Sequence, residues 1–171
     1  MEQIGSLTAQ DIFPKHANQI ISAASSCLHD IVNALSLDKF GGYLCVADTA
    51  DGTPLIVVQV GSVPSTEKRR KYCDFSQEKA FRLAHHRGEI SSWLSRNEAE
   101  NKWGGAIRAG KFIFSFSGLT EQQDEIMAIY MAIKFGMINR RDMDEIMRAS
   151  GNEENFEKLR GYIVEGIRKR A

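Results

Sequence analysis

The chain has 171 residues, of which 43% are hydrophobic and 26% are charged, as in one ordinary globular domain with a hydrophobic core. Its 22 basic and 22 acidic side chains cancel, so no strong overall field steers nucleic acid or an anionic membrane to it. No apolar run reaches the roughly 18 residues of a membrane span, and we expect neither nucleic acid nor membrane as a partner.

The first predicted element is an amphipathic helix over residues 15–35, because apolar residues recur there at helical spacing. Two short apolar runs follow, at residues 43–47 and 55–60. They flank Asp51-Gly52, which predicts a β-hairpin. Neither run alternates with polar residues, so we expect both faces of this hairpin to be covered.

Residues 65–87 predict one helix, or two helices joined near residues 74–76 with Ser76 as the second N-cap. Gly88 is the predicted stop. Residues 89–102 are mostly polar and predict a surface loop or a broken helix. A second hairpin is predicted over residues 103–107 and 111–117, with Phe112, Phe114 and Phe116 on one face.

Thr120 and Gln123 have the spacing of a capping box. The helix that they start has a predicted buried stripe and ends near Gly136. The stripe consists of Ile126, Ile129, Tyr130 and Ile133. Two further helices are predicted, over residues 139–149 and 153–170, with no low-complexity linker before them. The chain therefore predicts a single domain with a helical C-terminal appendage.

The three cysteines, Cys27, Cys45 and Cys73, form no C-x-x-C pair. Buried, reduced thiols of a cytoplasmic protein are the expected state. The first 11 residues lack the basic flank and apolar segment of a secretion signal, which also favours a cytoplasmic location. Cys73 is the candidate for a reactive thiol, since it follows the cations of residues 68–71, which favour a thiolate.

Three pieces of the sequence resemble the GlcG/HbpS-like family, also called the haem-degrading domain family. Residues 46–52 (VADTADG) are similar to its first-hairpin pattern, and residues 78–83 (EKAFRL) to its lysine–alanine helix. Residues 104–107 (GGAI) and 117–125 (SGLTEQQDE) are similar to its signature of a glycine pair, a strand, serine–glycine and glutamine–aspartate–glutamate. A related branch of uncharacterised bacterial and fungal proteins shares the last piece. The likeness spans about residues 15–136.

This resemblance implies an α+β fold, a profilin-like antiparallel sheet packed by helices. Residues 1–136 would form the family's domain, and residues 137–171 a helical extension packed on it. It also implies assembly into homodimers or larger rings and, for some members, binding of haem or a corrinoid-related molecule. The long polar segment at 89–102 and the helices after residue 136 depart from the family, and either can reshape or cover a ligand site. The resemblance places no haem ligand on a residue of this chain.

We expect the ligand pocket between the sheet and the helices, at Lys79, Trp103, Gly104, Gly105 and Asp124. Glycines let a ligand approach the backbone, and the lysine and the aromatic side chain suit a conjugated carboxylate. A structural interpretation stays open beside this one. Asp124 also fits the positive end of a helix dipole, and the glycines also fit tight strand geometry.

Histidine is the commonest axial ligand of haem iron in several protein classes, and the candidates are His16, His29, His85 and His86. The last two are adjacent, so they lack the i, i+4 spacing of a helical metal site, and a role at the helix C-terminus is the alternative. The basic run at residues 68–71 has two interpretations as well. It is either a partner for propionates or phosphate or a solvated helix face.

Three functions remain open from the sequence. The first is an oligomeric protein that binds a small molecule, with haem or another tetrapyrrole as the named ligand. The second is a non-catalytic assembly or adaptor protein, with the apolar residues in 112–116 and 156–167 making subunit contacts. The third is an enzyme that uses Lys79, Asp124 and Cys73 as reactive groups. The sequence contains no nucleotide-binding, nucleophile-elbow or zinc motif that would decide for turnover.

Overall fold

The computed structural model describes residues 17–168, and the side chains of residues 17–163. The elements follow the predicted order of helix, hairpin, helix, hairpin and three helices. They are α1 (Ala17–Leu35), β1 (Gly41–Asp48), β2 (Pro54–Gly61), α2 (Thr66–His85), β3 (Ala106–Ala109), β4 (Phe112–Ser117), α3 (Glu121–Lys134), α4 (Arg140–Ser150) and α5 (Glu153–Arg168). The α+β prediction is therefore confirmed.

The four strands form one antiparallel sheet in the order β2-β1-β4-β3. The two hairpins meet through β1 and β4, where Val46 lies opposite both Ile56 and Phe114. Helices cover both faces of the sheet at β1 and β4, as predicted for the first run of the hairpin. The prediction is wrong for β2, because this edge strand leaves Val57 and Gln59 exposed on one face. On one face α1, α3, α4 and α5 enclose the main core, which takes Phe112, Phe114 and Phe116. On the other face α2 packs over Ile113 in a smaller core.

Helix α3 is buried on all sides over its middle turns. Every residue from Asp124 to Ala132 is buried, so the predicted stripe was too narrow. Ile133, which belonged to that stripe, is only half-buried. The capping box at Thr120 and Gln123 is confirmed in both directions. The helix ends at Phe135 as C-cap, followed by Gly136 at a φ of +66°.

Helix α2 is continuous, and the alternative of two helices with Ser76 as an N-cap is wrong. The N-cap is Ser65, whose hydroxyl accepts a hydrogen bond from the Lys68 amide. Ser76 lies buried within the helix and donates its hydroxyl to the carbonyl of Cys73. A serine that bonds back to the preceding turn can stay inside a helix, which explains why the polar stretch does not break it.

The segment from 89 to 105 contains residues 89–102, which were predicted to form a surface loop or a broken helix, and it is not a simple surface loop. It contains turns and a short 3-10 helix at Glu98–Glu100, but Ser91 and Ser92 are completely buried. The second hairpin is shorter than predicted, because its first strand begins at Ala106. Gly105 has a φ of +119°, which lies outside strand geometry.

The C-terminal helices pack on the rest of the chain, and Ile146, Met147, Leu159 and Ile163 belong to the main core. Whether residues 137–171 form a separate extension stays a prediction. Of the two surfaces predicted to make subunit contacts, the one in 156–167 has Leu159 and Ile163 buried within the chain, and its side chains after residue 163 lie outside the described part. Phe112, Phe114 and Phe116 are at most 2% exposed, so that choice of contact surface was wrong. Within residues 17–168, no helix is long and apolar enough to span a membrane.

Candidate functional site

An open cleft of about 430 Å³ lies where α2, the 89–105 segment and the start of α3 meet. Its walls carry four aromatic side chains, Tyr72, Phe75, Trp93 and Trp103. The chain contains two tryptophans in all, and both line this cleft. The lining also contains five charged side chains and the polar Ser117, Thr120 and Gln122, so the cleft is more polar than the usual, mostly apolar small-molecule site.

The floor of the cleft is a buried ion pair between α2 and α3. The Lys79 ammonium lies 2.8 Å from Asp124 Oδ2 and donates to the Phe116 carbonyl at 2.9 Å. The two side chains are 2% and 4% exposed. Asp124 Oδ1 accepts from the Leu119 amide at 2.9 Å. Burial raises the pKa of the Asp124 carboxyl from its ordinary value, although the Lys79 ammonium acts in the opposite direction.

The glycine pair allows the floor and one wall to form. A Cβ on Gly105 would lie 2.7 Å from Asp124 Cβ and 2.8 Å from Lys79 Nζ. A Cβ on Gly104 would lie 2.7 Å from the Trp93 ring. Both positions therefore exclude a side chain because of close packing around the cleft, and this supports the structural interpretation of the pair. The ligand-binding interpretation stays a prediction.

Arg82 fixes the segment that carries the two tryptophans. Its side chain is 7% exposed and donates to the carbonyl oxygens of Ser92 at 3.0 Å, Ser95 at 3.1 Å and Trp103 at 2.6 Å. Glu78 lies 2.7 Å from the same guanidinium. Five donors in a rigid plane suit this task, and the result is that one side chain of α2 holds both ends of the 89–105 segment.

Glu121 holds the same segment from α3. Its carboxylate accepts from the Gly104 amide at 2.8 Å and from Arg96 at 3.0 Å. The Arg96 guanidinium in turn lies over the Trp93 ring, 4.6 Å from its centre. The Trp93 wall is therefore positioned by a chain of contacts that begins at the first turn of α3.

A second buried carboxylate, Glu125, joins this segment to the C-terminal helices. It accepts a hydrogen bond from the Ser91 hydroxyl and another from Asn152 Nδ2 at 2.8 Å. It is completely buried, and burial raises the pKa of its carboxyl from the ordinary value, while Ser150, Ser91 and Asn152 lower it. No signal in the local sequence pattern identified this cluster, because its members come from three distant stretches of the chain.

The structure brings the predicted ligand residues together. Lys79, Trp103 and Asp124 line the cleft, and Gly104 and Gly105 pack directly behind its lining. The sequence interpretation missed Tyr72, Phe75, Trp93 and Glu121, although one signal was available on α2. Lys71, Phe75 and Lys79 are spaced at i, i+4 and i+8, and therefore lie on one helix face.

The histidines predicted as haem ligands do not line the cleft. His29, His85 and His86 are exposed, and their rings contact Asn33, the Phe81 carbonyl and Glu89. These three histidines lie on outward faces of α1 and α2 and outside the cleft lining, and a role as iron ligand stays a prediction. The fourth candidate, His16, lies outside the described residues. In the part of the chain that the structure describes, no three His, Cys, Asp or Glu side chains form a metal site.

The basic run at residues 68–71 contributes one residue to the cleft, and the cysteines contribute none. Lys71 lines the cleft, whereas Lys68, Arg69 and Arg70 are exposed and outside its lining. Cys73 is half-buried and does not line the cleft, so it does not join Lys79 and Asp124. Cys45 is fully buried, and this raises the pKa of its thiol to about 12. Of the three residues predicted for an enzyme, Lys79 and Asp124 are in contact, and Cys73 lies outside the cleft that they line.

Comparison with known proteins adds little to this geometry. No protein-family model and no curated protein matches the chain. A solved structure that resembles it is the crystal structure of Klebsiella pneumoniae protein ORFY, described as DUF336. The alignment covers 70% of this chain and 91% of that one, with 16% identity and a TM-score of 0.45. A likeness at this level decides neither family nor function, and the functional conclusion therefore depends on the cleft itself.

Proposed function

We propose that this protein binds a small, flat, anionic organic molecule in the cleft, and that haem or another tetrapyrrole is the ligand. The observation that carries the proposal is the combination of four aromatic walls with lysines at the rim. Aromatic side chains stack on a conjugated ring system, and lysines pair with its carboxylates. The resemblance to GlcG/HbpS-like proteins favours a tetrapyrrole within this class.

The charge distribution explains the preference for an anion. The two carboxylates at the cleft already have cationic partners, since Asp124 contacts Lys79 and Glu121 contacts Arg96. Lys39 and Lys71 also line the cleft, are exposed, and make no ion pair within residues 17–168. The rim therefore has an excess of positive charge that a carboxylate would neutralise.

Two features of the cleft lining fit haem, and one lining residue is of a type that binds haem iron. The aromatic walls suit the macrocycle, and Lys39 and Lys71 suit the propionates. Haem iron is held in proteins by His, Cys, Met or Tyr, and Tyr72 is the residue of these types among those lining the cleft. Tyr72 would therefore hold the iron, and the bound group would supply a redox-active metal that no described side chain provides.

The position of the tryptophans provides a direct assay. Haemin or metal-free protoporphyrin IX, titrated into the protein, should quench the emission of Trp93 and Trp103, with saturation near one equivalent. Haemin should also show a Soret band different from that of the free molecule. Emission that follows the inner-filter effect alone, together with a Soret band identical to that of free haemin, would remove the proposal.

Two variants test the iron ligand and the rim lysines separately. Tyr72→Phe should change the Soret band of bound haemin but leave protoporphyrin affinity unchanged within about twofold. Lys39→Gln with Lys71→Gln should weaken both ligands. The matched control is Lys111→Gln, which removes an exposed cation at the β3–β4 turn, outside the cleft lining. Equal effects of the cleft and control lysine variants would exclude recognition at the rim.

The alternative of an assembly or adaptor protein stays a prediction, and so does self-association into dimers or rings. No described feature favours it over ligand binding, because the phenylalanines of β4 are buried within the chain. The enzymatic alternative also stays a prediction. Lys79 and Asp124 are in contact, but each is engaged by the other, which suits a structural floor as well as it suits chemistry.

A further inference from the structure

The buried lysine at the bottom of the cleft has unused donor capacity. An ammonium group has three N–H donors. Two of them are accounted for by Asp124 Oδ2 and the Phe116 carbonyl oxygen. Within residues 17–168, no third protein acceptor contacts Lys79 Nζ, although its side chain is only 2% exposed. A buried donor of this kind is normally satisfied by water or by a ligand.

The acidic partner, in contrast, has both oxygens engaged. Asp124 Oδ2 accepts from Lys79 and Oδ1 accepts from the Leu119 amide. The pair as a whole is neutral, so it offers a hydrogen-bond donor to the cleft without an excess of positive charge. A second carboxylate placed there would compete with Asp124 for the same ammonium and meet like-charge repulsion. An uncharged acceptor, such as a carbonyl, ether or ring nitrogen, would not.

The rim has the opposite character. Lys39 and Lys71 are exposed cations without an ion pair among the described residues, and Lys71 Nζ lies over the ring of Phe75, 5.5 Å from its centre. The cleft therefore has two polar ends of different kinds, which are joined by apolar rings. One end suits an anion and the other suits a neutral acceptor.

We infer that the cleft selects conjugated acids with two different polar ends. The carboxylate binds at Lys39 and Lys71, and an uncharged hydrogen-bond acceptor binds at Lys79. This inference rests on the proposed function and adds the chemical class and the orientation of the ligand. Haem has only vinyl and methyl groups opposite its propionates, so the inference favours conjugated acids that have a carbonyl, an ether or a free ring nitrogen at that end. A bicyclic aromatic acid can carry both groups.

Isothermal titration calorimetry with three small probes tests it on the unmodified full chain. The first two, 6-methoxy-2-naphthoate and 6-ethyl-2-naphthoate, have nearly the same size and differ in the ether acceptor. The third is the methyl ester of the methoxy acid, which lacks the negative charge. We expect the methoxy acid to bind about tenfold more tightly than the ethyl acid, as for one hydrogen bond to a charged donor. We expect the ester to bind more weakly than its acid by a similar factor.

A double variant identifies the donor. Lys79→Met with Asp124→Asn removes both charges together, so that no unpaired buried carboxylate is left. In this variant the methoxy and ethyl acids should bind equally, whereas the advantage of the acid over the ester should persist. In Lys39→Gln with Lys71→Gln the reverse should hold. The control Lys111→Gln should change none of these ratios.

The titrations distinguish failure of the acceptor site at Lys79 from failure of the proposed binding of an anion in the cleft. Equal affinities of the methoxy and ethyl acids for the unmodified protein would overturn the inference about Lys79 and leave the anion-binding cleft intact. Equal affinities of acid and ester would overturn the rim assignment. Absence of binding by all three probes, with haemin still bound, would overturn the inference alone. Absence of binding by haemin as well would overturn both.

Discussion

Gly105→Ala is the substitution that tests most directly how the cleft floor is built. The new Cβ would lie 2.7 Å from Asp124 Cβ, 2.8 Å from Lys79 Nζ and 3.1 Å from the Phe116 carbonyl oxygen. Two of these neighbours are a backbone atom and the first carbon of a side chain on a packed helix, so they cannot move aside cheaply. The backbone also has a φ of +119°, which a residue with a Cβ rarely adopts.

Both effects lower the free energy of unfolding. The backbone conformation costs about 1–3 kcal/mol for a non-glycine residue. Separation of the buried ion pair adds to this, since breaking such a pair costs up to about 3–5 kcal/mol. We therefore expect a loss of at least about 3 kcal/mol. At about 2–4 °C per kcal/mol for a chain of this size, the melting temperature should fall by about 6 °C or more.

The matched control is Gly110→Ala in the turn between β3 and β4. This glycine also has a positive φ, +60°, but no atom lies within 4 Å of its added Cβ. It should lose only the backbone term, about 1–2 kcal/mol. Urea unfolding followed by tryptophan emission measures both variants. A loss in Gly105→Ala that equals the loss in Gly110→Ala would refute the claim that this glycine is required by the ion pair.

Three further outcomes follow from the buried polar groups and the cap. Lys79→Met alone should lower the free energy of unfolding by about 3–5 kcal/mol, because it leaves Asp124 buried and unpaired. In urea titrations, adding Asp124→Asn should recover at least half of that loss. Burial raises the folded pKa of Glu125 above its ordinary value of 4.5, so its contribution to stability is present below that pH and is lost as pH rises through the folded pKa. Glu125→Gln should therefore weaken the decline in unfolding free energy as pH rises above the ordinary carboxyl pKa, and identical pH profiles of variant and parent would contradict this assignment. Thr120→Ala should cost about 1 kcal/mol through loss of the capping bond, and a melting temperature unchanged from that of the parent would contradict the role of the cap.

The sequence predicted the elements that local patterns determine. The two hairpins follow from short β-branched and aromatic runs around glycine turns, and the start of α3 follows from the spacing of Thr120 and Gln123. The faces of β4 follow from strict alternation. The continuity of α2 was harder to predict, since Ser76 is a common N-cap residue and only its bond to the Cys73 carbonyl shows that it lies inside the helix.

The site was predictable only in part. Lys79, Trp103 and Asp124 were grouped through a family resemblance, and the cleft contains all three. The contacts that fix its walls were not predicted, because Arg82 and Glu121 bind backbone groups of a segment that has no periodicity of its own. Such contacts depend on how distant stretches meet in space. Composition led instead to the interpretation of residues 89–102 as a surface loop or a broken helix.

The two hydrogen bonds at Glu125 bear on how this protein is best produced for ligand screening. A recombinant version shortened after Gly136 would lack Asn152, one of the partners of this carboxylate. It would also bare the apolar surface of α1 and α3 that Leu159 and Ile163 cover, with aggregation as the expected result. Because Ser91 shares the same carboxylate, the damage would reach the tryptophan-bearing segment. Affinities measured on such a fragment would describe a different molecule.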